Sequence, residues 1–502
     1  MSKENSLLLK NVRCLDSKHR NGLSELCDVA VVNGYIDEIR ADISEVSFAE
    51  VFDVKGNLLA PGLVNAHFHS SVNHMKGFLP SLPLEIFMLY ECPELDILKP
   101  TPREAYLRTM LGCIEMIRTG TTSVQDDCFF VPHPSTELID SVASAYKDSG
   151  MRVRLALDQQ ELSELEKLPF LAEILPEDAK TRLSQKAAFS GDQVLEMYQH
   201  LIEKWHGAEN GRIKAAVSCS APQRVTPKYF ASLEELSQKY DLPFYVHMLE
   251  TKLQRVFGVE CLNNRSLVEY TNDLGLISDR MNIIHAIWVT DDDLQIIAKN
   301  NATIAHNPIS NLRLGSGIMK WREIHDLGIN VCLGVDECIA DDSINMWNVM
   351  KIASIVHNIT ENNYDKWPKV EEVFQAGTYG GGLAMREKNL GQVRVGAPAD
   401  LLIINLENYP FVPLNNITRQ LVSCELGSSV LTTIIAGKVV AKDGVITTVD
   451  EVALLAEIKE LFSWKNAKLT QAAESVRDII PHYRKMYDRS MAYNIGFERK
   501  LS

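Results

Sequence analysis

The 502-residue chain has no apolar run of 18 or more residues, so no segment is read as crossing a membrane. It lacks an excess of positive charge. Against 51 Lys and Arg stand 66 Asp and Glu, and a formal charge of −15 disfavours a nucleic-acid or anionic-membrane surface, which needs a positive field. The ten cysteines lack the close spacing of a disulfide framework, and Cys113, Cys219 and Cys332 lie inside apolar runs. No basic-then-apolar stretch opens the sequence, so a reduced, cytoplasmic protein is expected. No Gly-rich phosphate loop sits at a strand-to-helix turn, because Gly380-Gly381-Gly382 falls between helix-like segments. The expected partner is a small molecule, with no nucleotide cofactor.

Present instead are β-type runs that end in histidine or acid. In Pro61-Gly62-Leu63-Val64-Asn65-Ala66-His67-Phe68-His69 the two histidines are spaced by one residue, so an extended chain points both the same way, about 6.6 Å apart. Phe244 to Met248 carries His247 with Glu250 three residues on, Ile283-Ile284 leads into His285, and Val331 to Val335 leads into Asp336. From 59 to 390 strand and helix patterns alternate, with strands expected at 58–67, 121–126, 152–158, 212–220, 243–249, 281–287, 301–306 and 329–336. Eight such strands predict an α/β fold, a (β/α)8 TIM-type barrel whose chemistry lies at the strands' C-terminal ends. The clearest helix is 101–120, with Thr101 as N-cap, Pro102 first, Glu104 closing a capping box and Gly120 at the stop.

Residues 1–58 and 391–450 each hold too few strands for a domain, and together they are expected to form a small β-sandwich. Residues 70–100 and 160–208 are expected to be insertions over the barrel mouth, the second mixing charged helices with Pro169 and Pro176. The helical extension 451–502, with its basic tail, is expected to be solvated or to pack against another subunit.

His67, His69 and His247 offer neutral nitrogens and Asp336 an anionic oxygen, a set that suits Zn2+ and is also acceptable to Fe2+ or Mn2+. A cation there makes water a nucleophile at neutral pH. Glu250 is placed to shuttle protons, His285 to polarise substrate or hold an oxyanion, and Asp336 to take the water's proton as well as bind metal. These motifs, with His306-Asn307-Pro308, Ser310-Asn311-Leu312 and the late run Gly391 to Leu401, resemble the amidohydrolase superfamily. The likeness covers about 1–450 and is to the subgroup of S-adenosylhomocysteine, guanine and cytosine deaminases and triazine hydrolases.

The resemblance implies that His67, His69, His247 and Asp336 bind one divalent metal ion, that Glu250 and His285 are catalytic, and that the protein is a homo-oligomer, a dimer. Binuclear relatives resemble one another in a carboxylated lysine at the C-terminal end of the fourth strand. Lys214 lies at the other end, so one metal is expected. The expected function is hydrolytic deamination of an aminated heterocycle or amidine-like carbon. Hydrolysis of another leaving group or a cyclic amide is the alternative, and a non-catalytic scaffold a third. The other zinc deaminase design, with His-x-Glu and Pro-Cys-x-x-Cys, is absent. Substrate contacts are expected from His74, Phe78, Leu84, Gln223, Arg224, Glu337 and Asp341. The carboxylates of Glu337, Asp341 and Asp342 stand where relatives usually have small residues, and they either favour a cationic or amine-bearing substrate or are solvated.

Overall fold

A computed structural model describes residues 3–91, 98–130, 132–463 and 465–500. In chain order its strands are β1 (Lys3–Cys14), β2 (Cys27–Val32), β3 (Tyr35–Arg40), β4 (Phe48–Asp53), β5 (Leu58–Pro61), β6 (Leu63–Phe68), β7 (Thr121–Phe129), β8 (Arg152–Asp158) and β9 (Ile213–Ala215). Then follow β10 (Val217–Ser218), β11 (Phe244–Met248), β12 (Met281–His285), β13 (Thr303–His306), β14 (Val331–Leu333), β15 (Leu401–Ile404), β16 (Val430–Ile435), β17 (Lys438–Lys442) and β18 (Val445–Ile446).

Strands β6 to β14 pair in parallel in sequence order. Strands β9 and β10 are one barrel strand interrupted at Ala216, whose N–H still reaches Leu155 O at 2.8 Å while Val217 N–H reaches Pro243 O at 2.9 Å. The ring closes where Asp336 N–H donates to His67 O at 2.9 Å and His69 N–H to Asp336 O at 3.2 Å. Closure therefore places the last candidate ligand beside the first two. Small side chains, among them Ala66, Ala156, Ala216, Ala305 and Cys332, form a buried cluster inside these strands. The expected eight-stranded TIM-type barrel is what forms.

The stretch 58–67 is not one strand. Leu58–Pro61 belongs to the outer sheet, between β1 and β15, and the barrel strand begins at Leu63. The break is at Gly62, where a Cβ would lie 2.2 Å from Thr122 Oγ1 and whose N–H donates to Asp400 O at 2.9 Å. The expected boundary at residue 58 is one strand too early.

The outer sheet runs β18-β17-β16-β15-β5-β1-β2-β3, with β4 also on β1, so the two ends of the chain complete one another. A core of Leu9, Val29, Val31, Leu401, Ile403 and Ile434 joins residues from both ends. The Arg152 guanidinium donates to both Asp400 oxygens, at 2.6 and 3.0 Å, and pins this sheet to the barrel.

The predicted helix forms over Pro102–Arg118, with the Thr101 and Glu104 capping box intact. The region 160–208 carries the expected helices: after short helical turns comes the helix Gly191–Trp205, whose Val194, Tyr198, Leu201 and Ile202 are buried in the main core. Within the loop 70–100, residues 92–97 lie outside the described residues.

The C-terminal extension departs from expectation. Its helices Glu451–Ser463, Lys465–Ser475 and Ile480–Ala492 fold back on the same chain. Val476, Ile479, Tyr483 and Met486 share a buried cluster with Ile86, Leu171 and Leu253, and Lys252 Nζ donates to Met491 O at 2.9 Å. The apolar side chains of this cluster are covered by the mouth loops and not by solvent. Among the described residues no helix is long and apolar enough to cross a membrane.

Candidate metal centre

Left-handed backbone marks the ends of several barrel strands. Ser220 (φ 61°), Leu249 (φ 53°), His285 (φ 75°) and Asp336 (φ 71°) are all non-glycine residues in a region that costs about 1–3 kcal/mol each. These turns bend the chain inward just where His247, Glu250, His285 and Asp336 are delivered.

The result is a compact donor set. His67 Nε2 is 3.2 Å from Asp336 Oδ1 and 3.2 Å from His247 Nε2, and His69 Nε2 is 3.5 Å from the same Asp336 oxygen. Candidate ligand atoms of His67, His69 and His247 all lie within 4.8 Å of one another, as do those of His67, His285 and Asp336. His69 Nδ1 is 2.5 Å from Asp127 O, and His247 Nδ1 is 2.7 Å from Ser220 O. Such carbonyls take the Nδ1 proton and leave Nε2 bare toward the centre.

Electrostatics agree with this. Burial lowers His67, against the pull of Asp336, and burial with the neighbouring rings of His67 and His69 holds His247 well below the usual imidazole value. Burial acts to raise Asp336, but the His67 ring overcomes it and keeps the carboxyl below its usual range. Neutral imidazoles beside an ionised carboxylate are the donor chemistry a divalent cation requires, so the residues fit such an ion.

His285 Nε2 stands 3.5 Å from Glu250 Oε2 and 3.9 Å from Asp336 Oδ2. Burial pushes the His285 ring down to about 3, and burial with the nearby Asp336 charge raises Glu250 well above the ordinary carboxyl value. Glu250 Oε1 is buried with no hydrogen-bond partner, and Ser310 Oγ donates to Asp336 Oδ2 at 2.6 Å.

A cavity opens over this cluster, lined by His69, His247, Glu250, His285 and Asp336 together with Leu84, Arg224 and Glu337. Four other expected contacts lie elsewhere. His74 is turned onto Phe462, ring centroids 4.8 Å apart, because the helical turn Ser70–Met75 aims it away. Phe78 packs against the main core, and Gln223 lines an outer chamber. Asp341 faces Ser343 Oγ at 2.9 Å, and Asp342 pairs with Arg313 at 2.5 Å, which removes both from the expected acidic rim.

Missed by the sequence reading were Glu91 and Asp158, both cavity-lining, while Ser310 and Asn311, to which their motif alone gives no role, prove to hold Asp336 and His285. Asp158 ends a strand, the same signal that singled out Asp336. Glu91 ends the helix Leu84–Glu91 and carries no local signal. Lys214 lies at the opposite end of its strand, bonded to Glu387 at 2.7 Å.

A closed parallel barrel with three histidines and an aspartate converging at its C-terminal edge is the frame of a metal-dependent hydrolase. The amidohydrolase family model matches residues 58–440, and the chain belongs to that family. It is 31% identical over 428 residues to a 5'-deoxyadenosine deaminase of Methanocaldococcus jannaschii, covering 85% of this chain and 93% of the relative. It is 29% identical over 422 residues to a 5-methylthioadenosine/S-adenosylhomocysteine deaminase of Nitratidesulfovibrio vulgaris, covering 84% and 88%. In fold it is similar to a zinc-bound adenosine deaminase from Xanthomonas campestris (TM-score 0.78, 24% identity, 93% and 98% coverage) and to a zinc-complexed atrazine chlorohydrolase from Arthrobacter aurescens (TM-score 0.80, 22%, 91% and 99%).

Proposed function

We propose that this protein is a metal-dependent hydrolytic deaminase of an aminated heterocycle, of the adenine nucleoside class named for its relatives. The observation that carries the reading is the convergence of His67, His69, His247 and Asp336 with the Glu250–His285 pair 3.5 Å apart. In this reading those four residues hold one divalent cation, Zn2+ in preference to Fe2+ or Mn2+. The Lys214–Glu387 pair at the far end of the barrel supports a single ion. When bound, the cation supplies Lewis acidity that makes water a nucleophile at neutral pH.

The protein groups handle the protons. Glu250 gives one to the ring nitrogen beside the amine-bearing carbon while Asp336 takes one from the attacking water. As the C–O bond forms, His285 Nε2–H donates to the oxygen. The C–N bond then breaks, the amine leaves as ammonia with the proton held by Asp336, and the remaining hydroxyl proton returns to Glu250. Leu84 and Arg224 contact the ring system. Glu337 beside Glu91 and Asp158 offers acceptors to its N–H groups.

We read the outer sheet as a small β-sandwich built from both chain ends, the barrel as 62–390, and 451–502 as a covering extension. A homodimer and a cytoplasmic setting are proposed on the family likeness, and the buried free thiols of Cys113, Cys219 and Cys332 are compatible with a reducing compartment.

The test is ammonia release by zinc-loaded protein from a panel of aminated, chlorinated and lactam heterocycles. Ammonia from adenine nucleosides is the expected result. Chloride or ring-opened product in its place would replace deamination with the other hydrolytic chemistry.

A further inference from the structure

Beyond the cavity over the donor cluster lies a second chamber. The two share Leu84, Met88, Gln160 and Arg224, so they form one space with a waist. At the waist Arg224 donates to Ser220 Oγ at 3.1 Å and rests on Met88 Sδ at 3.2 Å. The outer walls include Leu162, Leu168, Leu183, Leu253, Val476 and Ile479. Of the charged groups on these walls, Lys167 pairs with Glu164 and Arg182 with Asp478 at 2.9 Å, while Glu85 accepts from Thr251 Oγ1 at 2.6 Å through one oxygen. Gln223 Oε1, on the same wall, is buried with no partner among the described residues. Ser475, Val476 and Ile479 lie beyond residue 440, where the match to the family model ends, so this wall belongs to the chain's own extension.

We propose that the outer chamber is a substrate subsite, and that the heterocycle deaminated at the metal centre carries an apolar alkyl or aryl arm that passes Arg224 and lies against Leu183, Leu253 and Val476. The proposal rests on the deaminase reading for the ring end and adds the class of substituent. A chamber continuous with the reacting site and walled by leucines gains from each methylene removed from water, about fourfold per CH2.

The experiment uses the full-length, zinc-loaded protein with 5'-deoxyadenosine and homologues whose 5' alkyl chain lengthens stepwise to eight carbons. Deamination gives kcat/KM, and calorimetry gives the affinity of the matching inosine homologues without turnover. The expected result is a rise of kcat/KM and affinity with chain length. The long-arm to no-arm ratio should then fall at least tenfold in Val476→Trp and in Leu183→Trp, two fillings of the chamber from separate elements. Val452→Ala, on the exposed face of the extension, should leave that ratio as in the wild type. Affinity and kcat/KM indifferent to chain length would overturn the proposal, as would a gain that both tryptophans leave intact. Arm-dependent binding without ammonia release would sink the deaminase reading and leave the chamber assignment standing.

Discussion

Asn311 Nδ2 donates to His285 Nδ1 at 2.9 Å. An amide N–H can only give a proton, so Nδ1 must be the accepting nitrogen and the ring's own proton sits on Nε2, facing Glu250 and Asp336. Asn307 Nδ2 approaches the same atom at 3.3 Å and reinforces the choice. Replacing Asn311 with Leu releases that tautomer. We expect kcat to fall by about 10–100-fold, the usual cost of losing a group that orients a site histidine, with KM and zinc content nearly unchanged. An equal loss in zinc content would show instead that Asn311 only supports the fold.

Ligand and proton-transfer residues should separate in a metal assay. His67→Ala or His247→Ala is expected to abolish stoichiometric zinc, measured by elemental analysis after dialysis, and activity with it. Glu250→Gln should retain the metal and lose kcat by about 10²–10⁴, the usual worth of a general acid or base. Full activity in Glu250→Gln would remove that residue from the chemistry. Chelator treatment followed by zinc addition should restore the wild type and none of the histidine variants.

The Arg152–Asp400 pair makes a structural prediction. Asp400, itself buried, also accepts from Ser123 Oγ at 3.2 Å and Ala436 N–H at 2.8 Å. Asp400→Ala leaves the guanidinium uncompensated between barrel and outer sheet, which costs about 3–5 kcal/mol. Urea unfolding should give a lower midpoint, and a change under about 1 kcal/mol would mean that water or another carboxylate takes Asp400's place.

Asp28 supplies the pH dependence. Burial acts to raise its carboxyl, yet the N–H groups of Ile43 and Asn11, at 2.9 and 3.0 Å, and the Lys10 ammonium overcome this and hold it below the ordinary value. A group depressed in the folded state adds stability that is complete above its unfolded pKa of about 4 and is lost as pH falls through the lower folded value. At neutral pH Asp28→Asn should therefore cost about 1.5–3 kcal/mol. Melting curves of wild type and variant should converge on acidification below about pH 4, and a gap that stays constant down to pH 2 would refute the assignment.

What the sequence alone determined is local. A strand's direction and its last residue are written within about ten positions, so His67, His247, His285 and Asp336 could be placed at strand ends and the Thr101–Glu104 cap read directly. Barrel closure then required those ends to meet. What only the tertiary structure decided depends on partners far apart along the chain: Asp400 with Arg152 across 248 residues, and Lys252 with Met491 across 239. Gly62 splits an apolar run in two because Thr122 presses against it, and His74 leaves the cavity because Phe462 stacks on it. Glu91 enters the cavity from a helix whose docking no local pattern specifies. Periodicity encodes which face of an element is apolar, but which distant surface covers that face is settled only by packing.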